Sequence, residues 1–324
     1  MAPPRIGLIG ATGETGSSVL NGLLSASQDF HIVALARPSS LAKPANLALK
    51  AKEIELQIVA SLQNIDILIS AICPSDQLAQ ISLATAAKTA GIKRFIPCAF
   101  VTVIPAGGIH LLRDQKQQVY EHIFKLGLHY TIIDVGWWYQ ISISRVPSGK
   151  LDAYAFVTNK NEIPGDGTVL SGLTDLRDIG KYVAKIVVDD RTLNKWIFVY
   201  NELWSQNSIY DLVENKTGDG EKIARNYVSK EDLVARIEGA GDVADMAALM
   251  VKVPAQYMHS WGVRGDNTPE YAKYLGDLTS KDLYPDLQFT SFESYVDEAL
   301  AGTAKTVYEG LKAKFAAAQQ QNSS

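Results

Sequence analysis

Three glycines spaced three apart, in Gly10-Ala-Thr12-Gly13-Glu14-Thr15-Gly16, make a turn whose bare backbone can come within contact distance of a pyrophosphate. Ile6, Leu8 and Ile9 in front of it predict a buried strand. Val19, Leu20, Leu23 and Leu24 behind it recur with helical spacing, so the unpaired N–H groups and positive dipole end of that helix would face the phosphates. A second strand-like run, His31 to Ala36, ends in Arg37, where a dinucleotide fold that prefers NAD usually ends in Asp or Glu. A cation there favours a ribose 2′-phosphate, so the expected cofactor is NADPH. Ser39 or Ser40 would add a hydroxyl, and Lys43 reads as a solvated loop residue. An ordinary glycine-rich turn is the competing account; the flanking strand and helix and the placement of Arg37 together favour the cofactor.

The second residue able to do chemistry is Lys116. In a helix predicted over 113–125 it shares one face with Val119, Tyr120 and Ile123, three, four and seven residues on. Spacing alone admits both a lysine snorkelling from a first helical turn and a catalytic amine aimed inward. Only two cysteines occur, Cys73 and Cys98, each near the end of a predicted strand and without zinc-ligand spacing, so no metal is expected.

The elements that must position these groups alternate. Strands are predicted near 5–10, 31–36, 56–59, 66–72, 93–97 and 130–135, and helices near 16–28, 76–90 and 113–126. Near-continuous apolar strands such as Ile65 to Ile72 suit a doubly wound α/β fold with a Rossmann-like parallel sheet. Ligands in such folds sit at the carboxyl ends of the strands, which brings the loops of Ala71 and Ile72, of Cys98, Ala99 and Phe100, and of Val135 to Trp138 to one crevice. The nucleotide domain is expected over 1–150 with about 175–202, and a smaller, mainly helical substrate subdomain over 151–174 and 203–324. The tail 313–324 reads as a fraying helix end. Trp137, Trp138 and Tyr139 suit a flat apolar substrate, and Tyr120 is a further substrate contact; core packing competes for each.

With 324 residues, nearly half of them apolar, and a formal net charge of −4, the chain carries no electrostatic footprint for nucleic acid or an anionic membrane. No apolar run approaches a bilayer span, and a cytoplasmic address follows by default. A homodimer stays open.

Gly10-Ala-Thr-Gly13-x-x-Gly16, Arg37, Lys93-Arg-Phe-Ile-Pro97, Lys116 and Gly127-Leu-His-Tyr130-Thr-Ile together resemble the isoflavone reductase-like proteins among the NmrA-like atypical short-chain dehydrogenases. The similarity runs on through Thr174-Asp-Leu-Arg-Asp178 and Tyr227-Val-Ser-Lys-Glu-Asp232. It implies an NADPH-dependent reductase in which Lys116 falls in register with a catalytic lysine. Plant members carry Pro-Ser-Glu-Phe-Gly where this chain has Pro97-Cys-Ala-Phe-Val101, a departure closer to fungal members. The implied reaction is hydride transfer to a conjugated or aromatic ketone or enone, with Lys116 as general acid/base. A non-catalytic NADP-binding redox sensor and an enzyme of isomerisation or ether cleavage share the fold.

Overall fold

The apolar runs near the N-terminus become β1 (Arg5–Ile9), β2 (His31–Ala36), β3 (Glu55–Ile58), β4 (Ile67–Ser70) and β5 (Arg94–Ile96), paired in the order β3-β2-β1-β4-β5 with every pair parallel. A bridge from Phe95 to Tyr130 brings β6 (Thr131–Asp134) alongside β5. Strands Lys195–Phe198 and Leu278–Thr279 then follow, also parallel. This is the doubly wound parallel sheet that the strand and helix alternation predicts. The strand order reverses between β1 and β4, which opens a crevice at their carboxyl ends.

The computed structural model describes residues 2–156, 160–218, 220, 222–241, 245–310 and 312–313; the predicted tail helix lies outside them from 314 on. Helices α1 (Glu14–Leu24), α2 (Pro44–Ala51), α3 (Ala79–Thr89), α4 (Leu111–Lys125) and α5 (Leu176–Ile186) cover the sheet. Side chains alternate across a strand, so each face has its own partners. Val33, Leu35, Leu68 and Phe95 pack on Ala84 and Ala87 of α3 and on Val119 and Ile123 of α4. Arg94, the neighbour of Phe95, points the other way: its guanidinium donates to the carbonyls of Ile186 and Val187 at 2.8 and 3.1 Å, at the C-terminal end of α5. On that side α1 and α5 touch backbone to backbone. A Cβ on Gly22 would fall 2.1 Å from the carbonyl carbon of Gly180, and one on Gly180 would fall 1.9 Å from the oxygen of Ser18.

The chain divides into two compact units. The first comprises 1–136, 176–200 and 269–287; the second comprises 137–175, 201–268 and 288–324. The stretch 269–287 thus joins the sheet, through strand Leu278–Thr279, although a sequence reading leaves it with the substrate part. The second unit carries short ladders. Trp137–Trp138 and Glu202–Trp204 flank Ser171–Thr174, and Glu162–Pro164 pairs with Asn226–Val228. Its helices Gln206–Thr217 and Phe292–Leu300 flank a core of Tyr139, Leu173, Tyr210, Phe292 and Tyr295, and Lys230–Gly239 packs Leu233 in a separate cluster with Val228 and Ala255. Among the described residues no helix is long and apolar enough to cross a membrane, and no cluster of His, Cys, Asp or Glu could hold a metal ion.

Candidate functional site

At the carboxyl ends of β1, β2 and β4 lies a cleft of about 730 Å³, the size expected for a cofactor site. Gly10 bends away at φ +80°, and a Cβ there would sit 2.2 Å from the carbonyl oxygen of Ala71. Gly16 is equally constrained, because a Cβ would lie 1.9 Å from the oxygen of Gly10. Gly13 differs. Its φ is −81° and the nearest protein atom to a built Cβ is 3.4 Å away, so the fold would tolerate a side chain; bareness there leaves room for a ligand. Gly13 caps α1 without a side-chain hydrogen bond, so the N–H groups of the first turn, at Glu14, Thr15 and Gly16, have no side-chain cap from that position.

Across the cleft, Arg37, Ser40 and Lys43 gather two cations and a hydroxyl. Ser39 does not line the cleft, whereas Ser40 and Lys43 do: the tight turn Pro38–Ser40 aims consecutive side chains about 120° apart. Arg37 is 71% exposed and 3.9 Å from the Asp76 carboxylate, a loose pair that leaves the guanidinium available to an anion. Asn46 braces the turn by donating to the Ser40 carbonyl at 2.7 Å. A bare turn at a helix N-terminus, faced by two cations, fits the pyrophosphate and ribose phosphate of an NADP nucleotide.

Lys116 lies inward, only 3% exposed, on the buried stripe of α4 with Val119, Tyr120 and Ile123. Its ammonium donates to the Cys98 carbonyl at 2.6 Å and to Gln77 Oε1 at 2.9 Å. Burial lowers its pKa, and Arg113 adds to that, while Cys98 and Asp134 oppose it. Lys116 does not itself line the cleft, but Gln80, Cys73, Ala71 and Ile72 do. Cys98, Ala99 and Phe100 form a buried turn after β5; Phe100 holds φ +45°, rare for a bulky residue, fixed by its N–H to the Ile133 carbonyl at 2.9 Å.

Behind Lys116, Arg113 and Asp134 make a buried ion pair, 3% and 1% exposed. Arg113 Nε donates to the Ile104 carbonyl at 2.7 Å, and its guanidinium lies 4.9 Å from the Trp196 ring centre. Burial disfavours the guanidinium, yet its acidic neighbours, Asp134 foremost and Asp277 among them, together outweigh that and raise the Arg113 pKa. Asp277 belongs to the same surroundings. Burial first, then the Asp134 charge, push its carboxyl up to about 7, against the pull of Arg113. A carboxyl whose native pKa exceeds its unfolded value of 3.8 binds more protons when folded, so stability falls as pH rises from about 4 to about 7. Asp277→Asn is therefore expected to raise the melting temperature at pH 8 and leave it nearly unchanged at pH 4. Equal gains at the two pH values would refute this assignment.

Two of the expected substrate contacts are packing residues. Tyr120 is fully buried, edge-on to Trp196 with ring centres 5.0 Å apart. Tyr139 is also fully buried, between Phe292 and Tyr295, and its hydroxyl donates to Glu202 at 2.8 Å. The reason is common to both: each ring sits where a strand or helix turns its face to a core. Trp138 stacks on Tyr308 at 5.9 Å, and Trp137 stays partly exposed beside Tyr257 and Trp261.

The NmrA-like family's sequence model matches residues 4–296. The chain belongs to the NmrA-like family. It is 43% identical, over 92% of its length and 96% of the relative's, to asnovolin J 5′,6′-dehydrogenase of Aspergillus novofumigatus (strain IBT 16806). It is 26% identical to an isoflavone reductase-like protein of Olea europaea, with 91% of this chain and 98% of the relative covered. Among solved structures, leucoanthocyanidin reductase with NADPH from Vitis vinifera aligns at a TM-score of 0.74 with 24% identity, over 92% of this chain and 99% of that one. These likenesses agree with the fold described above.

Sequence reasoning missed Gln77, Gln80, Arg113 and Asp134. Gln80 lies in the first turn of α3 and Gln77 in the tight turn just ahead of it, three residues earlier; that spacing was the available signal.

Proposed function

We propose that this NmrA-like chain is an NADPH-dependent oxidoreductase of the isoflavone reductase-like type, acting on a conjugated or aromatic ketone or enone of natural-product character, with Lys116 as general acid/base. The observation that carries the reading is a buried amine held beside a cleft whose glycine turn and cations fit NADP. The relatives' names support it: one is a dehydrogenase of asnovolin J, and others are plant reductases. When bound, the nicotinamide supplies or accepts the hydride.

The chain's own residues do the rest. Gly10, Gly13 and Gly16 bring backbone to the pyrophosphate, and Arg37 selects the 2′-phosphate. Lys116 is desolvated and hydrogen-bonded only to neutral acceptors, which brings its proton closer to the range useful for transfer to a developing alkoxide or enolate. Trp137 is kept as a proposed substrate contact because, unlike Tyr120 and Tyr139, it is only partly buried.

The test is NADPH oxidation, followed at 340 nm, against aromatic ketones, enones and quinone-like compounds, with NADP+ reduction assayed against the corresponding reduced compounds. Turnover of at least one class is expected. Tight NADP binding with inactivity across the panel would favour a redox-sensing regulator. In parallel, Arg37→Ala is expected to weaken NADPH binding about 10- to 100-fold, the worth of one charge-assisted contact, and to leave NADH binding unchanged. Equal losses for both would remove the role of Arg37.

A further inference from the structure

A lysine ammonium has three N–H donors, and a proton donor works only if one of them is free and correctly aimed. Two of the three on Lys116 are taken. One goes to the carbonyl of Cys98, fixed by the backbone after β5, and the other to Gln77 Oε1 at 2.9 Å. Gln77 is 2% exposed, an unusual position for an amide, and it is itself held. Gln80 Nε2 donates to Gln77 Oε1 at 3.1 Å, and Gln80 Oε1 accepts the Cys98 N–H at 2.7 Å. These four contacts close a ring, Lys116 to Gln77 to Gln80 to Cys98 and back to Lys116. It ties α4 to the start of α3 and to the turn after β5. Gln77 Nε2 adds a longer contact to the Cys73 carbonyl at 3.4 Å.

We propose that Gln77 is a positioning residue for Lys116: together with the Cys98 carbonyl it occupies two of the three ammonium donors and so directs the third. The proposal rests on the reading of Lys116 as the proton donor. It goes further by naming the side chain that aims the amine and tunes its proton affinity. A neutral amide accepts a hydrogen bond without contributing a charge, so Lys116 keeps an acceptor and stays easier to deprotonate than it would beside a carboxylate. The charged and titratable groups around the amine are Cys98 after β5, Arg113 and Tyr120 on α4, and Asp134 at the end of β6. Asp134 is committed to Arg113, which leaves the position of Gln77 as the point where a new charge would act on Lys116 directly.

The experiment is an NMR titration of the full chain labelled with 13Cε-lysine, with the Lys116 signal assigned by its loss in Lys116→Met. Gln77→Glu, which keeps the shape and adds a charge, is expected to raise the Lys116 midpoint by about one pH unit or more. Gln77→Leu, which removes the acceptor, is expected to lower it. Gln77→Leu is also expected to reduce kcat roughly 10-fold through misaiming, with NADPH affinity unchanged. Midpoints that stay put in both variants, or move in the same direction, would overturn the proposal. If Gln77→Leu does not fold, Gln77→Glu decides alone: an unchanged or lowered midpoint overturns it. The two readings fail separately. Native turnover in Lys116→Met would defeat the lysine as proton donor, whereas unshifted midpoints alongside an inactive Lys116→Met would defeat only Gln77.

Discussion

Lys116→Met is expected to bind NADPH with native affinity and to lose turnover by about 10²- to 10⁴-fold, the usual worth of a positioned general acid. Methionine keeps the unbranched apolar stem of lysine and ends where the ammonium begins, so the buried stripe of α4 stays largely filled while the donor is lost. Burying an amine also costs stability, because the charged form loses its hydration. Against that, the variant leaves the buried Cys98 carbonyl without its donor, so the two effects oppose and the melting temperature should stay close to native, which separates lost chemistry from lost fold. Steady-state kinetics, NADPH titration by fluorescence and a melting curve on one preparation make the check. Native turnover, or loss of NADPH affinity equal to the loss of rate, would contradict the assigned role.

The second large effect concerns the ion pair behind the lysine. Asp134→Leu would leave Arg113, only 3% exposed, without its counter-charge, and breaking a buried pair from one side typically costs about 3–5 kcal/mol. That is a large share of a native stability of roughly 5–15 kcal/mol. Arg113 lies one helical turn before Lys116, so the damage should also loosen the part of α4 that aims the amine. The double variant Arg113→Met with Asp134→Leu removes both charges and is expected to recover most of the loss. Urea denaturation of the native, single and double forms measures it. A single variant within about 1 kcal/mol of native, or a double variant no better than the single, would show that the pair does not hold this region.

What was legible in the sequence was local. The glycine turn, the strand that ends at Arg37 and the stripe through Lys116, Val119 and Ile123 follow from spacings of three to seven residues, and α1, α4 and the parallel strands were found on the same ground. What was not legible depends on chain segments far apart. Gln77 meets Lys116 across 39 positions, and Arg113 meets Asp134 across 21. In one dimension a glutamine pair and an arginine at a helix start look like a solvated face. Helix α2 lacks a continuous apolar stripe, burying only Asn46 and Leu49, and so was not predicted. Tyr120 and Tyr139 show the opposite error: an aromatic placed after a strand or on an inward helix face suits a binding wall and a core equally, and both are in the core.

Whether Lys116 is the proton donor of an NADP site built on Gly10, Gly13 and Arg37 is decided by a crystal structure of the chain with NADP+ bound. Expected there are the 2′-phosphate on Arg37, the pyrophosphate on the glycine turn and the Lys116 ammonium within hydrogen-bonding reach of the nicotinamide end. A nucleotide bound in the cleft with its nicotinamide turned away from Lys116, and that amine still sealed from it, would contradict the account.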